Sequence, residues 1–305
     1  MKLINECKNI VKNNINEQLD ENTLECISLA VLAIKLTLPE EITKNIPDIL
    51  KKLKIYAQNK SVLEIAHNEL NNYMEDEELS HSDAAVTRSI GKDDETGVIF
   101  EQWNLLISLN INKKTHKLIG RIIHELIHLL RFKGIIENGN DIKILDGIST
   151  AFVKIEPVSV KRKHYNFEEG IVQTYTNLAM KTLGEYNTDS NELNSTLEKY
   201  KKEIKKYDYK DYILETEIIS LLNQNSYFNS LLLNTFTETN LPSNLINYYN
   251  QVMNDTSAFT RLSKKIDDLA KVKKEKDGMK LLEEIVIDVK KFLALSKFKK
   301  LNLNI

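Results

Sequence analysis

The sequence predicts an α+β fold that is mostly helical, with a small β-sheet in the middle of the chain. Apolar residues recur at helical spacing from residue 3 to about residue 72, and again from residue 192 to the end. Between these parts, β-branched and aromatic residues form short stretches on either side of one apolar helix. We therefore expect an N-terminal helical segment (1–75), a central region with the β-sheet (76–185) and a C-terminal helical bundle (186–305).

The N-terminal segment is expected to contain three or four helices. Leu24, Ile27 and Val31 follow the helical period, while Pro39 and Pro47 mark breaks between helices. The apolar run CISLAVLAIKLTLP is shorter than the roughly 20 residues that cross a membrane, and it contains a lysine. It predicts a buried helix rather than a membrane span.

Within the central region, the stretch GVIFEQWNLLISLNIN predicts one or two strands. Further on, the segment KILDGIST places Asp146 and Gly147 between two apolar runs and predicts a β-hairpin. A helix is expected between these β segments. It should begin near Lys113 or Thr115 and end just before Gly134, because glycine suits the left-handed position after a helix.

A second helix of the central region is predicted by the stretch NFEEGIVQTYTNLAMKTLG, with Asn166 as its N-cap and Gly184 at its end. Beyond residue 192, apolar residues alternate with Lys, Asn and Glu, as in YILETEIISLLNQ and GMKLLEEIVIDVKKFLALSKF. This spacing predicts a helical bundle for the rest of the chain.

Charge and cysteine content limit the classes of partner. The 42 basic and 44 acidic residues leave a net charge of −2, so we expect neither nucleic acid nor a membrane as partner.

The N-terminus lacks the continuous apolar stretch of a secretory signal, and Cys7 and Cys26 suggest no disulfide framework. The cytoplasm is the expected location, with export by a signal-less route left open.

The strongest functional signal is the pentapeptide HELIH. On a helix, His124 and His128 lie one turn apart on the same face and can both bind one metal ion. Glu125 is rotated by about 100° and can reach water on that ion as a general base. Chance would produce such a motif in only about one chain in a hundred of this composition. The surrounding residues are apolar and predict a buried helix, in which a zinc ion would offset the cost of burying these polar groups.

A catalytic zinc that keeps one position for water needs a third protein ligand. No third histidine follows HELIH at the appropriate spacing, because LLRFKG comes next. Glu168 and Glu169 are available at the start of the second helix. Helix capping is the alternative role for this pair, because acidic residues in a first turn favour the helix dipole. Four further residues are candidates for the third ligand: His164, Asp141, Asp146 and Glu156.

The two motifs together resemble the gluzincin group of zinc metallopeptidases, to which thermolysin and the zinc aminopeptidases belong. The resemblance covers about residues 98–183, and it implies a zincin-like sheet with an active-site helix. It also implies Zn²⁺ as the cofactor, bound by His124, His128 and Glu169, the glutamate that precedes Gly170. Glu168 is the alternative ligand.

The sequence departs from the thermolysin pattern at two points. The gap between the motifs is longer, and Gln173 occupies the position where the family has an aspartate that orients a ligand histidine. A glutamine can accept an imidazole N–H but raises the basicity of the ligand less than a carboxylate does.

The resemblance implies hydrolysis of peptide bonds in a peptide or protein substrate. Zinc would lower the pKa of its bound water towards about 7, and Glu125 would move the proton to the leaving amine. The strand LLISLNI would be an edge strand that pairs with an extended substrate. Three residues are candidates for stabilising the oxyanion: Tyr165, His164 and Tyr212.

Two other functions are compatible with the same residues. One is a zinc hydrolase that acts on a small-molecule amide. The other is a non-catalytic, zinc-stabilised helical module that binds a protein.

Overall fold

The computed structural model describes residues 2–15, 19–70, 84–92, 99–109, 115–138, 141–154, 159–186, 197, 201–202, 204, 212–238, 243–272 and 275–302. These residues form a predominantly helical α+β fold, as the sequence predicts, with the β structure divided between two small sheets.

The helices of the described residues are α1 (Lys2–Asn14), α2 (Glu21–Thr37), α3 (Glu40–Thr43), α4 (Ile46–Lys52), α5 (Val62–Glu69), α6 (Thr115–Arg131), α7 (Tyr165–Glu185), α8 (Ile213–Leu222), α9 (Ser226–Asn234), α10 (Ser243–Met253), α11 (Ala258–Leu269) and α12 (Glu275–Asn302). The strands are β1 (Leu53–Gln58), β2 (Ala84–Lys92), β3 (Ile99–Ser108), β4 (Phe132–Asn138), β5 (Asp141–Asp146), β6 (Ser149–Lys154) and β7 (Ser159–Lys163).

The chain divides into two compact units. The first consists of Met1–Leu130 and Tyr175–Asp208, and the second of Arg131–Thr174 and Tyr209–Ile305. The sequence-predicted boundary after residue 75 lies outside the described residues, so the three predicted segments stay a prediction.

The first unit contains a small mixed sheet in the strand order β1-β3-β2. Strand β3 pairs in parallel with β1 and antiparallel with β2. Helix α5 packs against this sheet through an apolar cluster made of Val62, Ile65, Ala66, Leu70, Ala85 and Leu106. The sequence pattern predicts β3 correctly. It misses β1 because the partner of this strand is about fifty residues away, with Leu53 opposite Trp103.

The described residues up to residue 70 form five helices, α1 to α5, and the strand β1, so the prediction of three or four helices is wrong in number. Helix α2 begins after Asp20, whose side chain accepts hydrogen bonds from the backbone N–H groups of Asn22 and Thr23. The apolar residues of α2 from Leu24 to Ile34 are buried. Cys7 and Cys26 are both buried free cysteines, and burial raises the pKa of the Cys26 thiol to about 12.

The second unit contains a four-stranded antiparallel sheet in the order β4-β5-β6-β7. The predicted hairpin is present between β5 and β6, where Asp146 pairs with Ser149 and Gly147 has a φ of +55°. The predicted role of Gly134 is wrong. Helix α6 ends at Arg131, and Gly134 lies in β4 with a φ of +139°, where the register with β5 shifts. The positive φ that glycine allows therefore serves a β-bulge and not a helix end.

The C-terminal helices pack around aromatic side chains. The rings of Tyr249 and Phe292 stack with their centroids 4.6 Å apart. Phe259 on α11 contacts Phe167 on α7 at a centroid distance of 5.2 Å. This contact holds the start of α7 against the helical bundle of the same unit.

Candidate metal centre

The two histidines of HELIH face each other on α6. The Nε2 atoms of His124 and His128 are 3.2 Å apart, and the ring of His124 is buried. Two imidazole nitrogens bound to one tetrahedral zinc at 2.0–2.1 Å would lie about 3.3–3.4 Å apart. The pair therefore already has the spacing of two ligands of one ion.

The apolar surroundings of this pair match the prediction of a buried helix. All seven apolar residues that flank the polar groups on α6 are buried: Ile119, Ile122, Ile123, Leu126, Ile127, Leu129 and Leu130. A charged or strongly polar group in these surroundings needs a partner to offset the loss of hydration.

Glu169 supplies the third potential ligand. One ligand atom from each of His124, His128 and Glu169 lies within 4.8 Å of the other two. Glu169 is 4% exposed. These are the three ligands predicted from the sequence, and the ligand set stays a prediction.

A second group with metal-ligand spacing contains His128, Asp146 and Glu168. Glu168 is already engaged in the second unit, where its carboxylate forms an ion pair with Arg131 and accepts the backbone N–H of Ile148. Using Glu168 as a ligand would require breaking this fully buried pair. The adjacent Glu169 is therefore the better candidate.

Glu125, the predicted general base, lies next to the first sheet. Its Oε2 atom accepts the backbone N–H of Val86 at 3.0 Å. Val86 belongs to β2, which is at an edge of the sheet among the described residues. The prediction that the strand LLISLNI is this edge strand is wrong, because β3 is the central strand and has β1 and β2 on its two sides.

The start of α7 differs from the prediction. The helix begins at Tyr165, so Asn166 lies in its first turn and Gly184 lies within it. The backbone N–H of Asn166 donates to Asp267 Oδ1 at 3.0 Å. A carboxylate from α11 thus takes the capping role that the sequence analysis gave to the side chain of Asn166. The reason is tertiary, since Asp267 is about one hundred residues away.

The three oxyanion candidates lie in the second unit. Nδ1 of His164 is 2.6 Å from the hydroxyl of the buried Ser263, and burial lowers the pKa of this histidine. The guanidinium of Arg162 lies 4.5 Å from the ring centroid of Tyr165. Tyr212 precedes α8 in a left-handed conformation with a φ of +56°. The hydrogen bond of His164 and the cation–π contact of Tyr165 both lie near the start of α7.

Two buried charged residues close to the predicted ligands in sequence or space, Arg131 and Glu215, were not predicted from the sequence. Arg131 is the last residue of α6 and is fully buried. Glu215 on α8 is also buried, and burial raises the pKa of its carboxyl, with a further increase from the negative charges of Glu169 and Asp267. Glu215 lies against Gly170, where a Cβ atom would be only 2.7 Å from the Cβ of Glu215. Only a residue without a side chain allows this approach.

No family model, no curated protein and no solved structure matches the chain. Within the described residues, no helix is long and apolar enough to cross a membrane. The function must therefore be inferred from the residues of the site.

Proposed function

We propose that this protein is a zinc-dependent metallopeptidase, with His124, His128 and Glu169 as the zinc ligands. One observation carries the proposal: two imidazole Nε2 atoms 3.2 Å apart, with a carboxylate of Glu169 within 4.8 Å of the ligand atoms of both histidines. Two histidines and one carboxylate are a typical ligand set of catalytic zinc sites, which keep the fourth position open for water.

The ligand set fits zinc better than the other common divalent cations. Magnesium and calcium prefer sites made of oxygen atoms, whereas imidazole nitrogens suit zinc. The same nitrogens could share one proton in an N–H···N hydrogen bond, and the zinc content of the purified protein distinguishes that bond from a metal site. A bound zinc ion would act as a Lewis acid and would lower the pKa of a water molecule to about 7.

Glu125 is the proposed general base. It follows the first ligand directly and lies on the same helix, so it can reach a water molecule at the site without being a ligand. The N–H of Val86 holds one oxygen of its carboxylate. The other oxygen would take the proton from the attacking water and pass it to the leaving amine.

The edge strand β2 supports a peptide as substrate. The N–H of Val86 points away from β3 to Glu125, so this edge of the sheet borders the general base. An extended peptide can pair with such an edge through backbone hydrogen bonds. We therefore propose a peptide or an unfolded protein segment as substrate, and neither a nucleic acid nor a membrane as partner.

The resemblance to the gluzincins agrees with this proposal through the HELIH motif and Glu169. The cytoplasm remains the proposed location, since both cysteines are free and buried and structural disulfides are rare in that compartment.

Replacement of Glu125 tests the proposal. Purified wild type and Glu125→Gln would be loaded with one equivalent of zinc and incubated with unfolded, fluorescently labelled casein and with a mixture of unstructured peptides. We expect hydrolysis by the wild type and a loss of about 10²–10⁴-fold in the variant, with zinc content unchanged by elemental analysis. Glu185→Gln, an exposed residue near the end of α7, is the matched control and should be fully active. Equal hydrolysis by Glu125→Gln and the wild type would refute the proposed mechanism.

A further inference from the structure

Arg131 is fully buried, and each of its three guanidinium nitrogens has a hydrogen-bond partner. Its Nε and Nη2 atoms donate to the two carboxylate oxygens of Glu168, with the Nη2 bond at 2.9 Å. Its Nη1 atom donates to the hydroxyl of Thr235 at 2.8 Å. The ring of Phe236 lies 4.6 Å from the guanidinium carbon. All of these groups belong to the second unit.

The hairpin between β5 and β6 closes this network. The backbone N–H of Ile148 donates to Glu168 at 3.0 Å, and the N–H of Gly147 donates to the carbonyl oxygen of Arg131 at 2.9 Å. A Cβ atom on Gly147 would overlap the carboxylate of Glu168. The glycine therefore serves two purposes, since it allows the positive φ of the turn and leaves room for the carboxylate.

The position of this network in the sequence connects it to the proposed ligands. Arg131 lies three and seven residues after His128 and His124, so it extends from the same face of α6. Glu168 directly precedes Glu169 in the first turn of α7. The ion pair thus joins the end of the helix that carries both histidines to the turn that carries the carboxylate ligand.

We infer that Arg131 is a positioning residue for the zinc site and that it acts through Glu168. The Arg131–Glu168 ion pair fixes the first turn of α7 and thereby orients Glu169 before the ion binds. This inference rests on the proposed function. It also gives the C-terminal bundle a role at the site, because Thr235 and Phe236 hold the guanidinium in place.

The chemistry of the network requires arginine. A guanidinium donates two parallel bonds to one carboxylate, a third bond to another acceptor, and stacks on an aromatic ring. A lysine ammonium carries the same charge but cannot form the two parallel bonds or stack as a plane. Arg131→Lys therefore keeps the charge and removes the geometry.

The test measures metal binding and stability separately. Zinc affinity would be determined by competition with a chromophoric chelator, and site geometry from the absorption spectrum of the Co²⁺-substituted protein. Thermal unfolding of the metal-free protein would report stability. For Arg131→Lys we expect zinc affinity to fall about 10–100-fold, as for other residues that orient ligands, and the cobalt spectrum to change.

Two further variants keep the test decisive. Thr235→Val removes one acceptor of Arg131 and keeps the volume of the side chain, and we expect a smaller loss of zinc affinity in the same direction. This variant replaces Arg131→Lys if the latter does not fold. Lys265→Met, which breaks an ion pair with Asp288 between α11 and α12, is the control for lost stability and should leave zinc affinity unchanged.

The outcomes distinguish this inference from the proposed function. If the wild type binds no zinc, the proposed function fails and the inference fails with it. If the wild type binds zinc and hydrolyses peptides, but both variants keep its zinc affinity and cobalt spectrum, only the positioning role is overturned. A loss of stability without a change in metal binding would likewise assign Arg131 a purely structural role.

Discussion

Two neighbouring glutamates have different environments in this structure. Glu168 forms a fully buried ion pair with Arg131, while Glu169 is the proposed third zinc ligand. Adjacent residues on a helix differ by about 100° in direction, which explains how one residue can stabilise the fold and the next can serve the proposed metal site.

Replacement of Glu168 tests this assignment. Glu168→Gln would leave the guanidinium of Arg131 buried without a counter-charge, so we expect the free energy of unfolding of the metal-free protein to fall by about 3–5 kcal/mol. Urea unfolding followed by circular dichroism measures this change. The exposed control Glu185→Gln should alter it by less than about 0.5 kcal/mol. A similarly small change in Glu168→Gln would show that the pair contributes little.

The spacing of the two histidines on one helix face could be predicted from the sequence. The different roles of Glu168 and Glu169 could not. His124, Glu125 and His128 are close in sequence, so helical geometry alone relates them. The choice between Glu168 and Glu169 depends on Arg131, Ile148 and Thr235, and the last of these is 104 residues from Arg131. Such a contact has no local signal.

The packing of α7 against α8 depends on a single glycine. A Cβ atom at Gly170 would approach both the side chain and the backbone of Glu215, at 2.7 and 3.1 Å. The glycine therefore sets how closely α8 can approach the first turns of α7, the part of the helix that carries Glu169.

Alanine substitution at two helical glycines tests this packing. Alanine favours a helix by up to about 1 kcal/mol over glycine, but at Gly170 it must displace α8. We expect Gly170→Ala to lower the free energy of unfolding by about 1–3 kcal/mol. Gly278→Ala on α12 is the matched control, because its Cβ atom would meet its nearest neighbour, Val272, at 3.7 Å, and it should raise stability by about 0.5–1 kcal/mol. Chemical unfolding of both variants gives the comparison, and equal effects would contradict the account.

Elements with local patterns were predicted well, and elements set by distant contacts were not. The hairpin at Asp146 and Gly147 and the strand β3 follow from residues within a few positions of each other. Strand β1 and the start of α7 depend on partners far along the chain, namely β3 and Asp267. The central position of β3 in its sheet could not be predicted either, because it depends on pairing with strands that are distant in sequence.

Across the whole molecule, the C-terminal helices contact the end of α6 and the start of α7. Thr235, Glu215 and Asp267 all lie on or next to these helices, and each contacts or approaches the end of α6 or the start of α7. The sequence predicted a helical bundle here but gave it no role. The structure shows that this bundle fixes the region that carries Glu169.

Zinc content is the most direct test of the central claim. Wild type, Glu169→Ala and the control Glu185→Ala would be purified, dialysed against a weak chelator and measured by elemental analysis. We predict close to one zinc per chain in the wild type and the control, and a clear loss in Glu169→Ala, because two histidines alone leave the ion without its third protein ligand. Retention of zinc in Glu169→Ala would contradict the ligand set, and absence of zinc from the wild type would contradict the metal site itself.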